Sequence, residues 1–244
     1  MSLSKVALVT GGSKGIGAGI VRRLSADGFA VAINYSKNPE PAEALVAELK
    51  EAGGRSFAIK CNVANSDDVT HMFNSIENEL GPINILINNA GIMINAPVAQ
   101  SDEMHFDEQI AVNLKGTFNT LKQAANRMPN GGRIVNISTS VVGLKLESYG
   151  IYAATKSAVE TLSAILSKEL RGREITVNTV APGPTGTDLF LNGKSQEMID
   201  RLANMSPLER LGTPEDIANA VAFLVGPDGA WINGQVLRAN GGLV

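Results

Sequence analysis

Seven short apolar runs, separated by stretches of helical periodicity, restrict most strongly what this chain can fold into. The strand-like runs are Val6–Thr10, Ala30–Asn34, Ser56–Cys61, Ile83–Ile87, Arg133–Ser138, Thr176–Val180 and Gln235–Arg238. Helical spacing fills the intervals near 16–26, 40–52, 66–79, 103–127, 150–170 and 214–224. Strands that alternate with helices in this way pair in parallel through right-handed crossovers. The expectation is an α/β fold, a doubly wound seven-stranded parallel sheet with helices on both faces. A composition of 44% hydrophobic but only 5% aromatic residues demands an aliphatic core, which suits a sheet buried on both sides.

No linker, charge run or repeat divides the 244 residues, so residues 1–244 are expected to form one domain. The net charge of −3 and the lack of a basic stripe argue against a nucleic-acid partner. Cys61 stands alone, which excludes an intramolecular disulfide, and His71 and His105 are too isolated to suggest a metal site. No apolar run approaches membrane-spanning length and no signal region precedes the first strand. A soluble, cytoplasmic protein is expected.

In such sheets, ligands bind beyond the carboxyl ends of the strands. The chemically distinctive residues here all follow strands. After the first comes Gly11-Gly-Ser-Lys-Gly15-Ile-Gly17, leading into a helix. Glycines let a backbone approach a pyrophosphate, and a helix start offers unpaired N–H groups. Gly11, Ser13, Lys14, Gly15, Ile16 and Gly17 are therefore candidate nucleotide-binding residues. After the second strand come Asn34, Tyr35, Ser36 and Lys37. Asn34 stands where a dinucleotide enzyme preferring NAD carries an acid, and Lys14 and Lys37 flank it, so a 2′-phosphate and hence NADP(H) is favoured. Asn62, with Val63 beside it, follows the third strand and could bond an adenine edge. Asn89, Ala90 and Gly91 follow the fourth, where backbone must pass close to the cofactor.

Asn113 lies in a helical stretch that asparagine does not favour, so it either interrupts the helix or uses its side chain. Ser138, Thr139 and Ser140 end the fifth strand and offer hydroxyls to a substrate carbonyl. Pro182, Gly183, Thr185 and Thr187 form a stiff loop after the sixth, able to hold a carboxamide. The stretch 188–207 reads either as a lid over the substrate or as a surface helix pair. Tyr152 and Lys156, four residues apart, share one helix face. A fixed positive charge beside a phenol favours the phenolate and would make Tyr152 a usable acid and base.

Taken in this order, Thr10–Gly17, Asn88–Gly91, Asn113, Tyr152-x-x-x-Lys156 and Pro182-Gly183 with Thr187 resemble the short-chain dehydrogenase/reductase family in its single-domain branch. The resemblance spans Val6 to Gly242 and implies a Rossmann-type fold. It also implies a homotetramer or dimer with the helices of Asn113 and Tyr152 at an interface. It implies that Tyr152 exchanges a proton with a carbonyl or secondary alcohol during hydride transfer. Lys156 would lower the tyrosine pKa and bond the nicotinamide ribose, while Asn113 would hold a water.

The family places a serine thirteen residues before the tyrosine, where this chain has Thr139; Ser140 is one residue too close and Ser138 one too far. Thr139 is the first candidate and Ser140 the second. The similarity leans towards 3-oxoacyl-(acyl-carrier-protein) reductase-like and trihydroxynaphthalene reductase-like members, and Arg127, Arg133, Arg171 and Arg173 could dock an acidic carrier of an acyl thioester. Sugars, polyols, steroids and quinones stay open as substrates. A dinucleotide-binding sensor without turnover is the alternative from another class. A hydrolase built on Ser140 and Lys156 would leave the glycine loop unexplained.

Overall fold

The computed structural model describes residues 4–244. Seven parallel strands form one sheet in the order β3-β2-β1-β4-β5-β6-β7. They are β1 Val6–Val9, β2 Ala30–Tyr35, β3 Ser56–Lys60, β4 Ile83–Asn88, β5 Arg133–Ile137, β6 Thr176–Pro182 and β7 Val236–Ala239. The expected strands are all present, with β6 running two residues further than its apolar pattern. The order reverses between β1 and β4, so the connections leaving these two strands part and open a crevice at their carboxyl ends.

The alternating side chains of β1 explain the two layers. Val6 and Leu8 face one side, packing with Val69 and Phe73 of α3 (Ser66–Glu79) and Leu121 of α5 (Gly116–Arg127). Ala7 and Val9 face the other, with Ile20 and Leu24 of α1 (Gly15–Ala26), Leu45 of α2 (Glu40–Glu51) and Val221 of α10 (Pro214–Val225). Each fully buried aliphatic side chain contributes about 1.5–3 kcal/mol. On the first side α5 is joined by α7 (Gly150–Glu169), which follows the short α6 (Val141–Leu144) and carries Tyr152 and Lys156.

The long helix expected over 103–127 is broken. It consists of α4 (Glu103–Gln109), a π-helical turn at Ile110–Lys115 and α5. Asn113 lies within the wide turn, whose looser backbone suits a residue with weak helical preference. Such turns concentrate at functional sites.

Beneath the crevice a chain of buried polar side chains crosses the sheet. Thr120 donates to Asn88 Oδ1 at 2.6 Å, Asn88 to Asn136 Oδ1 at 2.7 Å, and Asn136 to the Ser163 hydroxyl at 2.7 Å. Ser163 in turn donates to the Val159 carbonyl at 2.7 Å. Helices α5 and α7 are thereby tied through β4 and β5. Because each polar group has a partner, burial costs it little.

Candidate active site

The glycine loop leaves β1 and is stitched to the end of β4. The Thr10 hydroxyl accepts the N–H groups of Asn89 and Ala90 at 3.0 and 3.1 Å, and the Asn89 amide donates to the carbonyls of Thr10 and Gly11. Gly11 and Gly15 both have positive φ, at 59° and 51°. At Gly17 a Cβ would lie 2.3 Å from the Gly11 carbonyl oxygen, so no side chain fits where the loop folds back on α1. Lys14 caps α1 with no side-chain hydrogen bond, and no acid occupies the first turn. Unpaired N–H groups and the positive end of the helix dipole thus face the crevice, which suits a phosphate anion.

Asn34 does not point at that anion. It is buried, its Oδ1 accepts the Gly11 N–H at 3.1 Å, and its amide donates to the carbonyls of Tyr35, Ile59 and Cys61. The expectation that it occupies the ribose-facing position is corrected. Its hydrogen-bonding capacity is consumed in shaping the loop, and the chain first emerges at half-buried Tyr35 and exposed Ser36 and Lys37. Asn62 is exposed after β3 and accepts the Ala64 N–H at 3.1 Å, whereas Val63 is buried against Gly116.

Beyond β6, a Cβ on Gly183 would meet Asn240 Cα at 2.9 Å, so the loop passes close to the chain after β7. Thr185 is turned inward and donates to the Gly183 carbonyl at 2.9 Å. Thr187 lies across the crevice from the glycine loop, its methyl carbon 3.2 Å from where a Cβ on Gly15 would sit. Ser13 is half-buried and Ile16 lines the crevice.

The reactive residues converge where β4, β5 and α7 meet. Buried Lys156 donates to the Ile137 carbonyl at 2.8 Å and lies 5.9 Å from the centre of the Tyr152 ring. A Cβ on Gly91 would come within 3.4 Å of Lys156 Nζ and 3.3 Å of Asn113 Oδ1, so glycine lets both approach the backbone. Asn113 clasps the Ile92 peptide, accepting its N–H at 2.8 Å and donating to its carbonyl at 2.9 Å. Its amide also reaches the Thr155 hydroxyl of α7 at 3.2 Å.

The three hydroxyls of Ser138, Thr139 and Ser140 have different fates. Ser138 donates to Glu160 at 2.5 Å, and Ser140 donates to the Ala181 carbonyl at 3.2 Å while accepting from Asn240. Of the three, Thr139 is the one whose hydroxyl acts on the Tyr152 phenol, and it also accepts the Val141 N–H at 3.3 Å. The expected effect of Lys156 on the phenol is overturned. Burial pushes Tyr152 up to about 12, with the Thr139 hydroxyl opposing the rise and nearby Tyr149 adding to it. Burial also depresses Lys156 to about 8. Desolvation outweighs any attraction between the two groups.

Around these groups lies a cleft of about 500 Å³. Residues 188–207 fold into a helix pair, α8 (Asp188–Leu191) and α9 (Gln196–Asn204), with none of its helical residues buried. Leu189, Phe190, Leu202 and Met205 from this stretch line the cleft, as do Met93, Tyr149 and Leu243. Tyr149 was missed from sequence; it caps the start of α7 three residues before Tyr152, and their rings meet edge-on at 6.5 Å. Leu243 carries no comparable signal. The four arginines do not gather at the cleft. Arg133 opens β5 and bonds the Gly131, Gly132 and Glu174 carbonyls, Arg127 pairs with Glu77, and Arg173 bonds the Ala125 and Met128 carbonyls. Arg171 is exposed near the start of β6, at the opposite end of the strands.

A doubly wound sheet with a glycine loop at its switch point and a tyrosine–lysine pair beside it defines a dinucleotide-dependent oxidoreductase. The chain belongs to the short-chain dehydrogenase/reductase family. A family model described as enoyl-(acyl carrier protein) reductase matches residues 11–244. A short-chain type dehydrogenase/reductase of Picea abies is 41% identical over 250 residues, covering 98% of this chain and 92% of the relative. A 3-oxoacyl-[acyl-carrier-protein] reductase of Staphylococcus aureus is 40% identical over 245 residues, covering 100% and 99%. Among solved structures, a blue fluorescent protein from a metagenomic library in complex with NADPH superposes with a TM-score of 0.94 at 37% identity, covering 99% and 98%. Among the described residues no helix is long and apolar enough to cross a membrane.

Proposed function

We propose that this protein interconverts a carbonyl compound and a secondary alcohol with NADP(H), using Tyr152 as the proton donor and acceptor. The observation that carries the reading is the convergence of the Tyr152 phenol, the Thr139 hydroxyl and buried Lys156 on one cleft. When bound, the nicotinamide supplies or accepts the hydride. The glycine loop and the start of α1 would hold its diphosphate, Lys14, Ser36 and Lys37 the 2′-phosphate, and Thr187 the carboxamide.

The chain's own groups do the rest. A phenol held up to about 12 is fully protonated at neutral pH, so it is ready to donate to a carbonyl oxygen. The Thr139 hydroxyl steadies the same oxygen as charge develops on it. Lys156 uses one of its three N–H bonds on Ile137 and keeps the others for the ribose hydroxyls. With its pKa near 8, it can also return a proton to Tyr152 under physiological conditions. Asn113 fixes the Gly91–Ile92 backbone and α7 at once, and a water held beside it would complete the route to solvent. The helix pair α8–α9 serves as a lid.

A 3-oxoacyl thioester is one substrate consistent with the Staphylococcus aureus relative. A homotetramer is the proposed assembly, because two separate faces expose large apolar side chains: Phe106, Phe118 and Ile165 on one, Phe223, Trp231 and Leu237 on the other. Replacing Tyr152 by Phe tests the central claim: turnover should vanish while NADPH still binds. Normal turnover would end it.

A further inference from the structure

We infer that the substrate end of the cleft is built for small, uncharged, apolar aldehydes and ketones and rejects carbonyl compounds that carry an anionic group. The inference rests on the carbonyl-reductase reading above and deepens it. Among the described residues, Lys14, Lys156 and Asp188 are the only charged ones lining the cleft. Lys14 belongs to the glycine loop, and Lys156 sits behind Tyr152 against Ile137. Both cations are therefore committed to the cofactor side, and the remaining charge is a carboxylate that repels anions.

Apolar and aromatic side chains, among them Leu144, Tyr149, Phe190, Leu202, Met205 and Leu243, line the same cleft. The lid's own lysine is not among the residues that line the cleft. Lys194 bonds the Phe190 carbonyl and lies 4.6 Å above the Phe190 ring, bracing the end of α8. Arg201 is exposed on α9, and Arg210 is paired with Asp216. An anionic substituent entering here would lose its water and gain no partner.

The lid supplies an independent observation. Helix α9 buries none of its residues, yet Leu202 and, just beyond its end, Met205 face the cleft, with Met205 still 42% exposed. An apolar substrate would complete the packing that this helix lacks, because apolar surface gains by leaving water. Tyr149 and Phe190 add flat aromatic surface suited to a planar ring.

The test is a matched pair of substrates, 4-methylbenzaldehyde and 4-carboxybenzaldehyde, which differ in little but charge at the far end of the ring. Initial rates of NADPH oxidation by the full chain should give kcat/KM at least a hundredfold higher for the methyl compound. A Leu202→Lys variant should close that gap at least tenfold, by offering the carboxylate a partner. Equal rates, or a preference for the carboxylate, would overturn the inference. If neither aldehyde is reduced while a 3-oxoacyl thioester is, the substrate class is wrong and the carbonyl-reductase reading stands. If no carbonyl compound is reduced, that reading fails. Calorimetric binding of 4-methylbenzyl alcohol against 4-carboxybenzyl alcohol then decides the cleft's preference, with equal or reversed affinities overturning it.

Discussion

The Thr139 hydroxyl stands beside the Tyr152 phenol and opposes the effect of burial on it, while its neighbours Ser138 and Ser140 are each committed to partners elsewhere. Three adjacent hydroxyls therefore divide into one that faces the chemistry and two that hold the strand end in place. Thr139→Ala should lower kcat by about 10²–10³, the usual loss for removing one donor to a developing oxyanion. Thr139→Ser should keep most of the activity because the hydroxyl remains. Steady-state kinetics on both variants checks this, and a strong loss in the serine variant would contradict it.

Lys156 ties stability to pH. Its pKa is about 8 in the folded cofactor-free protein, against 10.5 when exposed, so between these values the unfolded chain binds more protons. The contribution is fully present above 10.5 and is lost as pH falls through 8. At about 1.4 kcal/mol per unit, the folded state should gain about 2 kcal/mol between pH 8 and 9.5. Tyr152, shifted upward, works against it only above pH 10. Urea unfolding at the two pH values should show this gain, and Lys156→Met should abolish it.

The buried polar chain from Thr120 to Ser163 predicts a large cost for breaking its middle. Asn136→Ala leaves the buried Asn88 amide without its acceptor and opens a cavity between β4 and α7, while Ser163 keeps its bond to the Val159 carbonyl. A loss of about 3 kcal/mol is expected in urea melts, since an unpaired buried group costs about 1–3 kcal/mol and the cavity adds to it. A loss below 1 kcal/mol would mean that water takes the place of the amide.

Cofactor preference should depend on Lys14 and Lys37. Replacing both by Ala removes two charge-assisted contacts to a 2′-phosphate, each worth about 1.5–3 kcal/mol. The KM for NADPH should rise tenfold or more while that for NADH stays within twofold. Equal changes for both cofactors would assign the lysines to the diphosphate instead.

The fold was legible because apolar periodicity is a property of the sequence itself, and the two-sided burial of β1 follows from it directly. The break at Ile110–Lys115 was only half legible. Asn113 marked a weak point in the helix, but a π turn depends on what the side chain meets, here the Ile92 peptide. Spacing found Tyr152 and Lys156 but gave the wrong sign for the phenol, because desolvation depends on packing that no local pattern encodes. The same limit applies to Leu243, which reaches the cleft from the far end of the chain. Asn34 was misjudged for a simpler reason. A residue near a strand's carboxyl end faces inward or outward according to its place in the pleat, and Asn34, one before the end of β2, is buried.

The four internal hydrogen bonds of Asn34 constrain how this protein could be reengineered or diverge. An aspartate at that position would aim a carboxylate at three backbone carbonyl oxygens and leave the loop mis-shaped before any cofactor arrived. A shift towards NAD must therefore run through Tyr35 or Ser36, where the chain has emerged from the sheet and a new acid stays hydrated. The substitution that looks conservative is barred by the fold, while the more drastic one beside it is open to selection.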